Sequence, residues 1–383
     1  MLIWLLITVL PLIGQESPKP YADFSKAGSG FYGAGREVPD PVDLKSVRIG
    51  VLAPEKNPEG LQMRNAVQMA LDEANQRGGY RQIPYEMVFR ADDGLWGVAA
   101  QRVVDLAYED KVWTIIGGLD GQRTHVAELV VSKAWVPVIS PAATDTSVDY
   151  ANVPWVFRCP PADSRQADLL VGYAQNQGYK HVVVLTEIER EGHTGFLRLQ
   201  EKAGQRRFSF EAHYEYPTNN PEEVIPRLKG IGADAVILWG NAKPALSLLR
   251  ALRSAGISAP VLAPSSLVQP ETAGGSEWIG NLVVSAPYDL SRENPAILAF
   301  AEKYRSRWGV FPSPVALYSY DAACLVIRAI ETTGLNRMRI RDELTRISFD
   351  GLTGKIQFNS LRGNTAEPVL IFLKDGGWQR LKN

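Results

Sequence analysis

Cysteine and histidine are scarce in this chain. Its 383 residues include two cysteines, Cys159 and Cys324, and four histidines, His125, His181, His193 and His213. No CxxC or HxxxH pair occurs, which argues against a cysteine- or histidine-based metal site. The two cysteines read as buried free thiols, with one disulfide in an oxidising compartment as the alternative. An excess of one charge is also missing. Lys and Arg number 41, Asp and Glu 42, for a net charge of -1. Nucleic-acid binders normally carry a basic face or stripe, so that class is disfavoured. No G-x-S-x-G elbow is present, so the α/β-hydrolase signature fails. The apolar run Met1–Gly14 falls short of the roughly 20 residues that a membrane span needs, and Pro11 interrupts it.

What is present is an ordinary globular balance, 45% hydrophobic and 22% charged. Residues 1–14 read as an export signal, cleaved near Gly14–Gln15, with an uncleaved anchor as the alternative. Glu16–Leu44 holds four Pro and four Gly in 29 residues. It reads as part of a tether or irregular arm spanning 15–45. Its spaced glycines, Gly28 to Gly35, follow no strand, so a phosphate-loop reading fails its structural condition.

From Val47 onward, strand and helix patterns alternate. Apolar runs at Val47–Ala53, Val112–Gly117 and Val136–Ser140 predict buried strands, and Tyr85–Ala91 alternates as a further strand. Between them Leu61–Asn75, Val98–Tyr108 and Thr124–Lys133 have helical period. After Trp155–Arg158 the pattern restarts. Strands are expected at Val182–Thr186, Phe208–Tyr216, Ala235–Trp239, Val261–Ala263 and Leu282–Ser285. Helices are expected at Ala167–Gln177, Phe196–Ala203, Glu222–Ile231 and Ala245–Ala255. Helices Pro295–Trp308, Val315–Thr333 and Ile340–Ile347 follow. They have no new sheet to cover and are expected to return to an earlier unit. Gly354–Phe358 and Val369–Leu373 read as a hairpin or small sheet extension. The pattern predicts an α/β chain with two doubly wound parallel-sheet lobes. The natural ligand site is the cleft between them, at the carboxyl ends of the strands.

Several segments, in order, resemble the periplasmic leucine/isoleucine/valine-binding protein family, the type I solute-binding proteins of ABC transporters. VPVISPAAT at Val136–Thr144 carries most of the likeness. RIGVLAP at Arg48–Pro54, ALDEANQRGG at Ala70–Gly79, Asp92-Asp93 and IIGGL at Ile115–Leu119 agree with it. So do VFR at Val156–Arg158, YDAA at Tyr320–Ala323 and LTGKIQF at Leu352–Phe358. The resemblance implies a hinge of three crossings. Lobe 1 would comprise 46–158 plus 287–350, and lobe 2 would comprise 159–286 plus 351–383. It implies a periplasmic or secreted monomer that traps a small molecule and delivers it to an ABC permease. No cofactor, catalytic residue or nucleic-acid partner is expected.

Carried over residue by residue, the PAAT loop (Ala142, Ala143 and Thr144) would meet a ligand carboxylate with neutral donors. A helix N-cap is the plainer role for Thr144. In Asp120–Thr124, Gly121 stands where the family has a Ser, so Gln122, Thr124 or backbone amides would substitute. On lobe 2, Ser265 stands at the family's ammonium-binding Glu, and Asn241 replaces an aromatic. Glu187 or Glu189 is a candidate for the lost carboxylate, with a solvated charged loop as the plainer reading. Trp96 and Tyr288 are candidates for the cleft wall, against core or rim positions. The altered ammonium position leads to the expectation of a carboxylate or polar solute without an α-ammonium. Two rivals follow: a non-transport ligand sensor of the same fold, and an enzyme using His193 with Glu189 or Glu191.

Overall fold

The computed structural model describes residues 31–228, 230–269, 272, 282–290, 294–374 and 377–381. The expected signal and residues 15–30 of the expected arm lie outside the described residues. Five parallel strands form the first sheet: β1 (Val47–Ala53), β2 (Tyr85–Ala91), β3 (Thr114–Gly117), β4 (Val138–Ser140) and β5 (Val156–Arg158). Their order is β2-β1-β3-β4-β5. Side chains alternate across this sheet. Ile49, Val51, Ile116 and Phe157 enter one apolar cluster; Leu52, Ile115 and Val156 enter the opposite one. Apart from exposed Arg48, β1, β3 and β4 are dry on both faces, which is why they read as apolar runs, whereas β2 at the edge is only partly buried.

The second sheet has seven strands: β6 (Val182–Glu187), β7 (Ala212–Tyr216), β8 (Ala235–Trp239), β9 (Val261–Ala263), β10 (Leu282–Ala286), β13 (Val369–Lys374) and β14 (Gly377–Arg380). Their order is β14-β13-β10-β9-β8-β6-β7, with β13 and β14 antiparallel at one edge. The late segments therefore split. β12 (Gly354–Gln357) pairs with β11 (Ser348–Gly351) in a separate hairpin, while β13 extends the second sheet. The hairpin's Ile356 sits in the core of the first unit. The long helix Pro314–Thr333 also returns there and packs on helix Pro58–Gln76.

Several helices differ from the sequence pattern. Helix Arg190–Arg206 begins six residues before the apolar period at Phe196. The expected helix Glu222–Ile231 shrinks to a tight 3₁₀ turn, Pro221–Val224, and one α-turn, Ile225–Leu228. Helix Trp96–Val104 runs into a wider π-type turn at Asp105–Glu109. Helix Gly121–Ala134 starts at Gly121 because the Asp120 side chain accepts from the Arg123 amide at 2.7 Å, an N-cap. Cys159 and Cys324 are free thiols, Cys159 being fully buried.

The described part of the arm is docked. Phe31 is buried between Trp135 and Trp155, ring centroids 5.0 and 4.8 Å away. Arg36 pairs with Asp342 at 2.6 Å, and Asp40 accepts from Arg339 and from the Tyr80 hydroxyl, both at 2.6 Å.

The chain passes between the two sheet units three times: after Arg158, after Ala286, and between Phe358 and Val369. The first and third passages lie side by side. Asn364 donates its backbone N–H to the Arg158 carbonyl (3.0 Å) and its side-chain amide to the Cys159 carbonyl (2.7 Å). Beneath them Arg158 grips Asp149 with two bonds, Nε–Oδ1 2.9 Å and Nη2–Oδ2 2.6 Å, both residues buried.

Candidate functional site

The loops that leave the carboxyl ends of β3, β4, β5, β6, β8 and β9 converge on a cavity of about 230 Å³ between the two units. Open parallel sheets place ligand sites at this end. Ser140, the last residue of β4, ties two of the loops together. Its hydroxyl donates to the Gly118 carbonyl (2.7 Å) and accepts from the Ala143 amide (3.0 Å). Gln166 does the same on the other side. It donates to Asp163 Oδ1 (3.1 Å) and accepts the Ser265 amide (2.8 Å).

Five of the residues expected at the site line this cavity: Ala142, Ala143, Thr144, Asn241 and Ser265. Gln122 lines an adjoining cavity of about 200 Å³ with Asp145, Glu189 and Arg190. The other four lie elsewhere. Thr124 is fully buried within its helix, and its hydroxyl donates back to the Asp120 carbonyl at 2.8 Å. The early helix start set by Asp120 turns it away from the cavity. Trp96 is 58% exposed and outside the lining, at the first turn of its helix. Tyr288 is buried behind Tyr318, ring to ring at 5.6 Å, while its neighbour Pro287 reaches the cavity. Glu187 is not in a solvated loop. It ends β6 fully buried, accepts from Thr218 (2.7 Å), and accepts both the backbone and side-chain N–H of Asn241 (2.8 Å each). Its carboxylate is committed to holding Asn241. His193 lies exposed on helix Arg190–Arg206.

Gly121 lacks the hydroxyl of a Ser for a steric reason. A Cβ there would come within 2.6 Å of the Asp145 side chain. Asp145 in turn accepts the Ser147 amide (2.9 Å) and pairs with Arg190 (2.7 Å). These contacts outweigh its burial and hold its carboxyl below the usual range.

Two functional candidates were not singled out from the sequence as ammonium acceptors. Asp163 opens helix Asp163–Asn176 and lines the cavity although only 1% exposed. Oδ1 accepts from Gln166, and Oδ2 has no hydrogen-bond partner. Burial pushes this carboxyl up to about 7; a hydrogen bond from Thr144 opposes the shift and Asp145 adds to it. Half-buried Glu191, in the first turn of its helix, lines both cavities. Its carboxyl is raised well above the usual range, by burial first and then by Asp163, Asp145, Asp120 and Glu187. Among the described residues the lining of the main cavity includes Glu59, Asp120, Asp163 and Glu191, and no Lys, Arg or His. Prolines 141, 160, 264, 287 and 314 supply much of its apolar wall. No group of described His, Cys, Asp or Glu residues is arranged to hold a metal ion.

Two parallel-sheet units joined by three passages, with a cavity lined by carboxyl groups and prolines between them, define a two-lobe solute-binding protein. The chain belongs to the periplasmic binding protein family, whose profile matches residues 46–374. It is 26% identical over 307 residues to a curated "Amino acid binding protein" of Pseudomonas aeruginosa, covering 76% of this chain and 80% of that one. Among solved structures it is similar to the branched-chain amino acid transporter substrate binding protein LivJ of Streptococcus pneumoniae in complex with isoleucine. That match has a TM-score of 0.79 at 22% identity and covers 88% of this chain and all of that one. It also resembles a solute-binding protein of an ABC transporter from Rhodopseudomonas palustris BisB5 in complex with 3,4-dihydroxybenzoic acid. There the TM-score is 0.78 at 18% identity, over 89% of this chain and 97% of that one. No helix among the described residues is long and apolar enough to cross a membrane.

Proposed function

We propose that this protein captures an amino-acid-like solute, one bearing both a carboxylate and an amine, and delivers it to an ABC permease from the periplasm. The observation that carries this reading is Asp163 Oδ2, a carboxylate oxygen buried at the cavity wall without a partner. An unsatisfied buried acceptor is costly, and a ligand ammonium relieves that cost. The backbone N–H groups near Gly121 and Ala142 are neutral donors suited to the ligand carboxylate. The two lobes would close over the solute by hinging at the three passages, with the last crossing between Phe358 and Val369.

The expectation of a solute without an amine rested on altered positions on both lobes, among them Gly121, Asn241 and Ser265. Asp163, at the start of its helix, supplies the carboxylate that Ser265 lacks. No catalytic role is assigned, and exposed His193 does not line the cavity.

A thermal melt of the purified chain against amino acids, organic acids and aromatic acids tests this. A ligand at 100 times its Kd adds about 2.7 kcal/mol, a shift of a few degrees. A shift with amine-bearing carboxylates alone is expected. A shift confined to acids without an amine contradicts the reading.

A further inference from the structure

Four carboxyl side chains, those of Glu59, Asp120, Asp163 and Glu191, line the cavity. Asp163 and Glu191 stand in the first turns of two helices of the second unit and both line it. The neighbouring cations are already engaged. Arg190 is paired with Asp145, Arg158 with Asp149, and Arg123 with Asp120 and Asp92. Glu59 accepts from Ser313 at 2.5 Å. Neither Asp163 nor Glu191 has an ion-pair partner among the described residues. An α-ammonium at Asp163 leaves Glu191, which shares the cavity wall with five prolines, without a counter-ion. A buried or half-buried carboxylate in such surroundings favours either protonation or a second cation.

We infer that the solute is a basic amino acid, with its α-ammonium at Asp163, an aliphatic stem along the prolines, and a distal ammonium or guanidinium at Glu191. This rests on the amino-acid reading of the same cleft. It assigns Glu191 the role of specificity residue. The upward pull of Asp163, Asp145, Asp120 and Glu187 on the Glu191 carboxyl is the same field that would draw in a second positive charge. Neutral side chains gain nothing from it.

The test is isothermal titration of the purified chain, at a pH above 8, with lysine, arginine, leucine, alanine and putrescine. The wild type should bind lysine or arginine at least tenfold tighter than leucine or alanine. Glu191→Gln keeps the shape and removes the charge. It should lose at least tenfold for the basic amino acids and leave the neutral ones unchanged or improved. Neutral amino acids binding as tightly as basic ones overturns this inference and leaves the amino-acid reading intact. Putrescine binding tighter than lysine overturns the amino-acid assignment in favour of a diamine. No binding by any of the five defeats both readings. The wild-type preference needs no variant, so poor folding of Glu191→Gln cannot mask the outcome.

Discussion

Asp145 and Arg190 form an ion pair of 2.7 Å across the cleft, one following β4 of the first sheet and the other following β6 of the second. Asp145 is almost fully buried and Arg190 about half exposed. Ser147 joins them, accepting from Arg190 at 3.0 Å and contacting His125 Nε2 at 2.7 Å. This cluster bridges the two units beside the cavity mouth, where it can hold a closed form.

Breaking that bridge should speed ligand escape. Arg190→Gln removes the charge but keeps length and polarity. With one partner half exposed, the pair is worth roughly 1 kcal/mol, or about fivefold. The dissociation rate should rise by about that factor while the association rate stays within twofold, read by stopped-flow tryptophan fluorescence. An unchanged dissociation rate contradicts the latch.

Asp163 makes the ligand-free protein pH-sensitive. Its folded carboxyl titrates near 7, against an ordinary value of 3.8. The proton is therefore bound more tightly in the folded state. The stability this contributes is complete below about pH 4 and is lost as the pH rises through about 7. Thr144, Gln166, Arg158, Asp145, Asp149 and Glu191 are the polar and charged groups that act on it. Melting curves from pH 4 to 8 should show Asp163→Asn gaining on the wild type as pH rises. Parallel curves would contradict this.

The hinge depends on Asp149. It is the buried partner of Arg158, and a Cβ on Gly363 would come within 2.6 Å of either side chain. Asp149→Ala leaves a buried guanidinium without its carboxylate, a loss of about 3–5 kcal/mol. Urea unfolding should show it as a lower midpoint. A loss below about 1 kcal/mol would mean that the pair is not holding the crossing.

Much of the fold was legible because buried strands announce themselves. Val47–Ala53, Ala235–Trp239 and Val261–Ala263 match the observed strands residue for residue. The family resemblance then placed Asn241 and Ser265 in the loops after two of these strands, and Ala142 and Thr144 in the loop after β4. The first turns of helices were not legible. Helix Arg190–Arg206 opens on Arg, Glu, Gly, His and Thr, whose apolar period begins only at Phe196. Glu191 therefore read as part of a charged loop. Asp163 follows Pro160-Pro161-Ala162, a stretch with no period at all, and only the folded chain sets it against the cavity. Glu187 erred the other way: its charge suggested solvent or ligand, and it is spent on Thr218 and Asn241.

Phe31 anchors the arm. Burying a Phe between two Trp rings contributes several kcal/mol locally, about 3–5 for a Phe→Ala change in a core. Phe31→Ala should release residues 31–45 to limited proteolysis at a rate well above the wild type, with solute affinity unchanged. Equal cleavage rates would contradict a docked arm.

In the proposed complex a buried carboxylate of the cleft, Asp163, receives the ligand amine. Titration calorimetry of Asp163→Asn against the wild type, with the amino acid that binds the wild type best, tests it most directly. The variant should fold, melt no lower than the wild type at pH 8, and bind at least 100-fold more weakly. Equal affinity in a folded Asp163→Asn protein would contradict the account.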